Sequence, residues 1–492
     1  MVTGKHRIGS ASGALALAGL LASCAVGPDY KRPATPPSSE YKEAREWKQA
    51  EPNETIARGK WWSVYNDPIL NELEQSVDVS NESVKLSEAQ YRQALALARE
   101  ASASLWPSLN ANASATRQSQ GSSRGAAVTG GSGGAVNLQQ GISTIYTLGL
   151  QAAWELDLWG GVRRAAEAGR ESAYASHADL EAMRLSMQSQ LANDYFGLRT
   201  ADATRQLLND TIDAYERSLK ITRNQYAAGV AARVDVAQAE TQLEQTKAQA
   251  IDIDVGRAQL EHAIATLIGK APSEFSLPPG PLNAVMPSVP LGLPSDLLER
   301  RPDVAAAERR VAAANAEIGV ARAAFFPSLT LAASGGYASS STGHLISAPN
   351  RFWSLGPSLV QPLFEGGKLR AQAYGAQAGY DAAVATYRQT VLSAFQSVED
   401  NLAALRILEA EAAAQDKAVK LARESVTLTI NQYKAGTVSY LNVVTVQATA
   451  LDNERSAVSI LGRRLSAHVT LIAALGGGWN EQELAHTIRQ DP

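Results

Sequence analysis

The chain has 492 residues, a charge balance of 45 Lys and Arg against 49 Asp and Glu, a net charge of −4, and only 6% aromatic residues. So even a balance leaves no basic footprint of the kind that binds nucleic acid or an anionic lipid surface. Cys24 is the single cysteine, so no disulfide forms within the chain.

At the N-terminus, Lys5, His6 and Arg7 precede an apolar run from Ile8 to Leu21. The run is as long as a signal-peptide core and short for a membrane helix. The following Leu21-Ala22-Ser23-Cys24 resembles a bacterial lipobox, in which the cysteine is diacylated and becomes the first mature residue. A plain secretory signal followed by a chance cysteine is the competing reading. In bacterial lipoproteins an Asp after the cysteine favours the inner membrane, and Ala25 is compatible with the outer one. Residues 1–23 are therefore expected to be a lipoprotein signal peptide, and 24–60 an acylated N-terminal segment and linker. No later stretch reaches the ~18 apolar residues of a membrane helix. If the chain crosses a membrane, it must do so as a closed barrel.

The rest of the chain is duplicated. Asn224-Gln225-Tyr226-Ala227-Ala228-Gly229 recurs as Asn431-Gln432-Tyr433-Lys434-Ala435-Gly436, Leu148-Gly149 as Leu355-Gly356, and Trp106-Pro107-Ser108-Leu109 as Phe326-Pro327-Ser328-Leu329. The repeats span 61–271 and 296–477, joined by a Pro-rich linker over 272–295 and followed by a tail over 478–492. In each, a helix (Asn81–Ser104; Pro302–Ala324) leads into a strand with period-two alternation. Leu105, Leu109, Ala111, Ala113 and Ala115 oppose Ser108, Asn110, Asn112, Ser114 and Thr116. After a Gly- and Ser-rich loop, Gly121–Gly141, comes a second strand. There Tyr146, Leu148, Leu150, Trp154, Leu156 and Leu158 oppose Ser143, Thr147, Gln151, Glu155 and Asp157. The second repeat sets Leu329 and Leu331 against Ser328 and Thr330, then Trp353, Leu355 and Leu359 against Ser354 and Ser358. An apolar outside and a polar inside is the pattern of a membrane barrel strand; a soluble sheet with one buried face gives the same alternation. The adjoining helices have no apolar face wide enough to cover a sheet, which favours lipid. Four strands cannot close a barrel, for which about eight is the practical minimum, and open edges are not tolerated in lipid. Several copies must therefore share one barrel; three would give twelve strands.

No proline interrupts 108–271 or 363–491. Val162–Tyr226 and Leu369–Tyr433 therefore read as twin helices of about 65 residues, roughly 100 Å at 1.5 Å per residue. After the first Tyr-x-x-Gly turn, Val236, Ala239, Leu243, Thr246, Ala250, Ile253, Arg257, Leu260, Ile264 and Leu267 form a coiled-coil seam broken at Arg257. This returning helix is about half the length of its partner. The shorter helix before the first strand supplies the other half, so each repeat should pair one continuous rod with one built of two stacked pieces.

Catalytic signals are missing. The six histidines are scattered without metal-ligand spacing, and the Gly130–Gly134 stretch lacks the Lys of a phosphate loop. Met183 and Met187 share a helix face and read as seam packing. The sequence gives no reason to expect an enzyme, a metal or a cofactor other than a covalent lipid on Cys24.

Taken together, Cys24-Ala25-Val26-Gly27-Pro28-Asp29-Tyr30-Lys31-Arg32-Pro33, Trp61-Trp62 with Asp67-Pro68, and above all Leu297-Leu298-Glu299-Arg300-Arg301-Pro302-Asp303-Val304 followed by Phe326-Pro327-Ser328-Leu329 resemble the outer-membrane efflux protein family, in its lipoprotein branch serving resistance–nodulation–division pumps. The resemblance implies a mainly α fold with a membrane β-barrel: four strands per chain, a 12-stranded barrel in a homotrimer, and a long antiparallel coiled-coil tunnel in the periplasm. It also implies a passive exit duct for small molecules in the bacterial outer membrane, anchored there by lipid, with a periplasmic adaptor and an inner-membrane pump as partners and no nucleic acid. A secretion channel of the same fold, or a lipid-anchored coiled-coil protein without a pore, are the alternatives. The family's gate lies just beyond the second Tyr-x-x-Gly turn, here Leu441, Asn442 and Thr445. Leu441 keeps the apolar plug, while Asn442 and Thr445 stand where relatives carry Asp. Asp235 and Tyr433 are placed to hydrogen-bond across the tip, or Tyr433 merely packs there.

Overall fold

A computed structural model describes residues 25–35, 41–44, 60–119, 142–282, 286, 301–477 and 479. The signal peptide, Cys24, the Gly121–Gly141 loop, Leu297–Arg300, half of the linker and most of the tail lie outside these residues. Contacts divide the chain into two compact units. The first comprises Met1–Arg32, Ala94–Ala173 and Arg310–Ala383; the second comprises Pro33–Gln93, Tyr174–Arg309 and Val384–Pro492.

The first unit holds the sheet, made of β1 (Ser108–Ser119), β2 (Ile142–Leu156), β3 (Ser328–Ser339) and β4 (Arg351–Val360). They pair antiparallel in chain order, β1-β2-β3-β4, leaving β1 and β4 with one neighbour each. The two faces keep the alternation read from the sequence: Leu109, Ala111 and Ala113 share a face with Leu148 and Leu150, and Asn110 pairs with Gln151 on the other. Both faces are largely exposed, with Leu109, Leu150, Trp353, Leu355 and Leu359 all open. Where β2 ends, Trp159 stacks on Phe326, 4.7 Å between centroids, and its Nε1 donates to Pro327 O at 2.8 Å. The segment after Cys24 is fastened at this junction. Val26 N donates to Trp159 O at 2.9 Å, Asn315 Nδ2 to Pro28 O at 2.9 Å, and the buried Arg164 pairs with Asp29 at 2.8 Å. Gly160 lets Ala25 come close, for a Cβ at Gly160 would lie 2.8 Å from that of Ala25.

The helices are α1 (Pro68–Ser80), α2 (Glu82–Ala103), α3 (Gly161–Ala227), α4 (Arg233–Leu267), α5 (Pro302–Ala323), α6 (Lys368–Lys434) and α7 (Tyr440–Ala474). The twins α3 and α6 each have 67 residues and the returning α4 and α7 each 35. Asp67 caps α1, accepting from Ile69 N and Leu70 N, and Pro302 opens α5 at a position that needs no N–H. The expected stacking of short helices is present in the second unit. Asn81 Nδ2, at the start of α2, donates to Leu267 O at the end of α4 at 2.8 Å. Arg301 Nη1, at the start of α5, donates to Ala474 O at the end of α7 at 3.0 Å.

The core of the second unit gathers Trp61, Trp62, Tyr65, Leu70, Tyr195, Leu402 and Leu465. Its seam buries Val236, Ala239, Leu243, Thr246, Ala250 and Ile264 as the spacing predicts. Arg257 breaks that seam for a reason outside the helix. Its Nε donates to Asp202 on α3 at 2.7 Å, its Nη1 to Glu261 at 3.2 Å and its Nη2 to Leu277 O at 2.5 Å. Asp202 also accepts from Arg199 Nη1 and from Gly280 N, both at 3.0 Å. Arg199 Nη1 further donates to Pro278 O at 2.9 Å. This charged cluster fastens the chain leaving α4. Among the described residues, no helix is long and apolar enough to cross a membrane.

Candidate gate at the helical tip

Both turns end their long helix in the same way. Gly229, at φ +74°, donates to Tyr226 O at 3.0 Å while Val230 N donates to Gln225 O at 2.8 Å; Gly436, at φ +71°, donates to Tyr433 O at 3.0 Å while Thr437 N donates to Gln432 O at 3.1 Å. This is the glycine-terminated C-cap in which two backbone N–H groups satisfy the last carbonyls. The repeated Tyr-x-x-Gly places an aromatic ring one turn before each reversal, and the two rings then differ. Tyr226 is 47% exposed and Tyr433 only 9%.

Tyr433 belongs to an apolar cluster with Tyr215, Leu219, Val236, Ala239, Leu243, Tyr440 and Val443, drawn from all four helices of the tip. Its ring meets that of Tyr440 edge-on at 5.2 Å, and the Tyr440 hydroxyl shares a hydrogen bond with Ser218 Oγ at 3.2 Å. Burial pushes the Tyr433 phenol above its ordinary value; the nearby Thr222 hydroxyl opposes that shift and the Asp235 charge adds to it.

The hydrogen bond expected between Tyr433 and Asp235 is not formed. Asp235 Oδ2 accepts instead from Ala232 N at 3.1 Å, at the N-terminus of its own helix α4. A carboxylate three residues into a helix satisfies an otherwise unpaired N–H and the positive helix end locally. The Tyr433 hydroxyl is buried without a hydrogen-bond partner, and the Thr222 hydroxyl beside it donates to Ser218 O at 3.1 Å. Tyr433 packs.

Leu441, Asn442 and Thr445 come together on the exposed side of α7, with Tyr440 and Val443 turned into the cluster. Leu441 is 54% exposed. The Thr445 hydroxyl donates to Leu441 O at 2.9 Å and the Thr449 hydroxyl to Thr445 O at 3.0 Å, so these hydroxyls are occupied along the helix. From Ala435 to Leu451 there is no charged residue. The first repeat differs: Arg223 pairs with Glu240 at 2.8 Å and Lys247 with Glu244 at 3.1 Å along α3 and α4. The sequence reading missed Tyr440, Ser218 and Thr222. A second tyrosine seven residues after Tyr433, across the glycine turn, was the available signal. Among the described residues, no group of three or more His, Cys, Asp or Glu could hold a metal ion.

The family model for outer membrane efflux proteins matches residues 73–270 and 293–477. The chain is 32% identical over 467 residues to the probable efflux pump outer membrane protein TtgC of Pseudomonas putida, covering 94% of each. It is 32% identical to the outer membrane protein OprJ of Pseudomonas aeruginosa, over 95% of this chain and 96% of that one. Among solved structures, the outer-membrane channel OprN superposes with a TM-score of 0.84 at 30% identity, over 93% of this chain and all of that one.

Proposed function

The chain belongs to the outer membrane efflux protein family, and on that premise we propose that it is the lipid-anchored outer-membrane duct of a tripartite efflux system. Three copies form one twelve-stranded barrel, and the duct receives small molecules from an inner-membrane pump through a periplasmic adaptor. The observation that carries this reading is the sheet. Four strands of 10–15 residues span about 33–50 Å at the usual rise, enough for a tilted strand to cross a bilayer. One face is apolar and uncovered, and both edges are open. In water that face would be a hydrophobic patch and the edges an aggregation hazard; in lipid, closure with neighbouring copies resolves both. Trp154, Trp159, Phe325 and Phe326 at the strand ends fit the aromatic girdle of a membrane interface.

The anchor is supported by the fastening of Ala25–Asp29 beside Gly160 and Trp159. The segment that follows Cys24 is held beside the strand ends, which suits an acyl anchor on that cysteine. At the tip, Leu441 supplies an apolar constriction, while Asn442 and Thr445 leave it without carboxylates. The test is single-channel recording of the purified full chain in planar bilayers. The expected result is a conducting trimer whose conductance rises in Leu441→Ala, with weak preference for cations. A folded monomer that never conducts would refute the duct.

A further inference from the structure

We propose that β4 of one copy pairs antiparallel with β1 of the next in a fixed register that sets Ser358 opposite Ser114, Trp353 opposite Ser119 and Leu359 opposite Ala113. The inference rests on the oligomeric barrel proposed above and names the contact that closes it.

The register follows from the internal duplication. Adding 220 to β1 numbers and 207 to β2 numbers carries Ser108↔Ala153 onto Ser328↔Val360, and both pairs occur. The hairpins β1–β2 and β3–β4 are therefore equivalent residue for residue. The same shifts relate side-chain contacts. Trp154 Nε1 donates to Leu105 O at 3.0 Å and Gln361 Nε2 to Phe325 O at 3.2 Å. Asn81 reaches Leu267 O and Arg301 reaches Ala474 O. Two matched pairs of side-chain contacts, beside the strand register, thus agree on one correspondence.

Within the chain, the hairpins meet through β2–β3, with Tyr146↔Ser339, Gln151↔Ser334 and Ala152↔Ala333. If successive hairpins meet in the same way around a ring, β4 takes the place of β2 and the next copy's β1 that of β3. Shifting the first numbers by +207 and the second by −220 gives Trp353↔Ser119, Ser358↔Ser114 and Leu359↔Ala113. The faces agree without further adjustment. Serine meets serine on the polar side, and on the apolar side Leu359, 65% exposed in the single chain, meets Ala113. A slip of one residue would turn every β4 side chain to the wrong face.

The test is cysteine cross-linking of the full-length protein in outer membranes, with wild type, whose only cysteine is Cys24, as control. The registered pairs are Ser114→Cys with Ser358→Cys and Ala113→Cys with Leu359→Cys, one of each type of antiparallel site. The shifted pairs are Ser114→Cys with Gly356→Cys and Ala113→Cys with Pro357→Cys. Directly opposite Cβ atoms lie at about 4.5–5.5 Å and diagonal ones at about 7–8 Å, whereas a disulfide needs about 3.5–4.5 Å. Within one chain, β1 and β4 are two strands apart, so links form only between copies. The expected result is dimer and trimer bands on non-reducing gels, with at least one registered pair linking about tenfold faster than its shifted partner. An intact trimer in which neither registered pair links faster than its shifted partner overturns the register alone. A folded monomer overturns the barrel and the register together.

Discussion

Replacing Asp202 by Ala should release the chain that leaves α4. Asp202 is almost fully buried and accepts from Arg199, Arg257 and Gly280 N. The substitution leaves two guanidinium groups facing a site without an anion. Breaking a buried pair by removing one partner costs about 3–5 kcal/mol. The low end applies here, because Arg199 keeps Pro278 O and Arg257 keeps Glu261 and Leu277 O. At about 1.4 kcal/mol per decade, 3 kcal/mol multiplies the undocked population of this segment roughly a hundredfold. Phe275 is half-buried at its start, so chymotrypsin reports undocking by cutting after it. With cleavage slow relative to reclosing, the rate tracks that population. Intact-mass analysis should show roughly hundredfold faster cleavage at Phe275 in Asp202→Ala and an intermediate rate in Asp202→Asn, which keeps one acceptor oxygen. An unchanged rate, with other sites as protected as in wild type, would show that the charged cluster does not hold this segment.

At the tip, Tyr433→Phe removes a buried hydroxyl with no partner and should leave single-channel conductance and melting unchanged. Tyr440→Phe, which loses the bond to Ser218, should destabilise each tip by about 0.5–1.5 kcal/mol and raise the open fraction in planar bilayers. Glu74 is fully buried, and burial first, then the charge of Asp78, hold its carboxyl well above the usual 4.5. A raised value favours the fold while the group stays protonated, so wild type should lose stability as pH rises above about 4.5. Glu74→Gln should flatten that slope in melting curves taken from pH 4 to 8; parallel curves would exclude Glu74 as its source. Cys24→Ser should abolish palmitate labelling while the protein stays in outer-membrane fractions, since the barrel itself holds it there; recovery as a soluble periplasmic protein would contradict the barrel.

The elements governed by local pattern were legible in the sequence. Alternation located the strands, absence of proline gave the long helices to within a residue or two at each end, and Tyr-x-x-Gly located both turns. The step-of-three-and-four seam picked out Val236 to Ile264 and flagged Arg257 as the exception, without showing what Arg257 binds. Its partners, Asp202 and the Leu277 carbonyl, come from two other segments, and a single sequence carries no distance information between them. The same holds for Glu399, which accepts from Lys42 N and Glu43 N across more than 350 residues. At the tip, Leu441, Asn442 and Thr445 of α7 share one exposed face. The Tyr433–Asp235 bond was misjudged because a carboxylate in the first turn of a helix has a nearer donor in its own backbone. Helix α1 carried a readable signal in Asp67-Pro68, a cap followed by a first-turn proline, that had served only to mark the family resemblance.

The duplication constrains how such a chain can change. A single shift of 207 holds from Gly149 and Gly356 through Tyr226 and Tyr433 to Leu267 and Ala474, whereas β1 and β3 differ by 220. The two copies have therefore diverged in length between the strands of each hairpin and not along the helices. One residue inserted into α3 alone would advance everything beyond it by about 1.5 Å and rotate it by about 100°. The seam would turn away from α4, and the Tyr226 turn would no longer match the Tyr433 turn. Length in the twin helices is thus a shared quantity: a viable insertion comes in both, or in whole multiples of the helical repeat, while the hairpin loops remain free to vary.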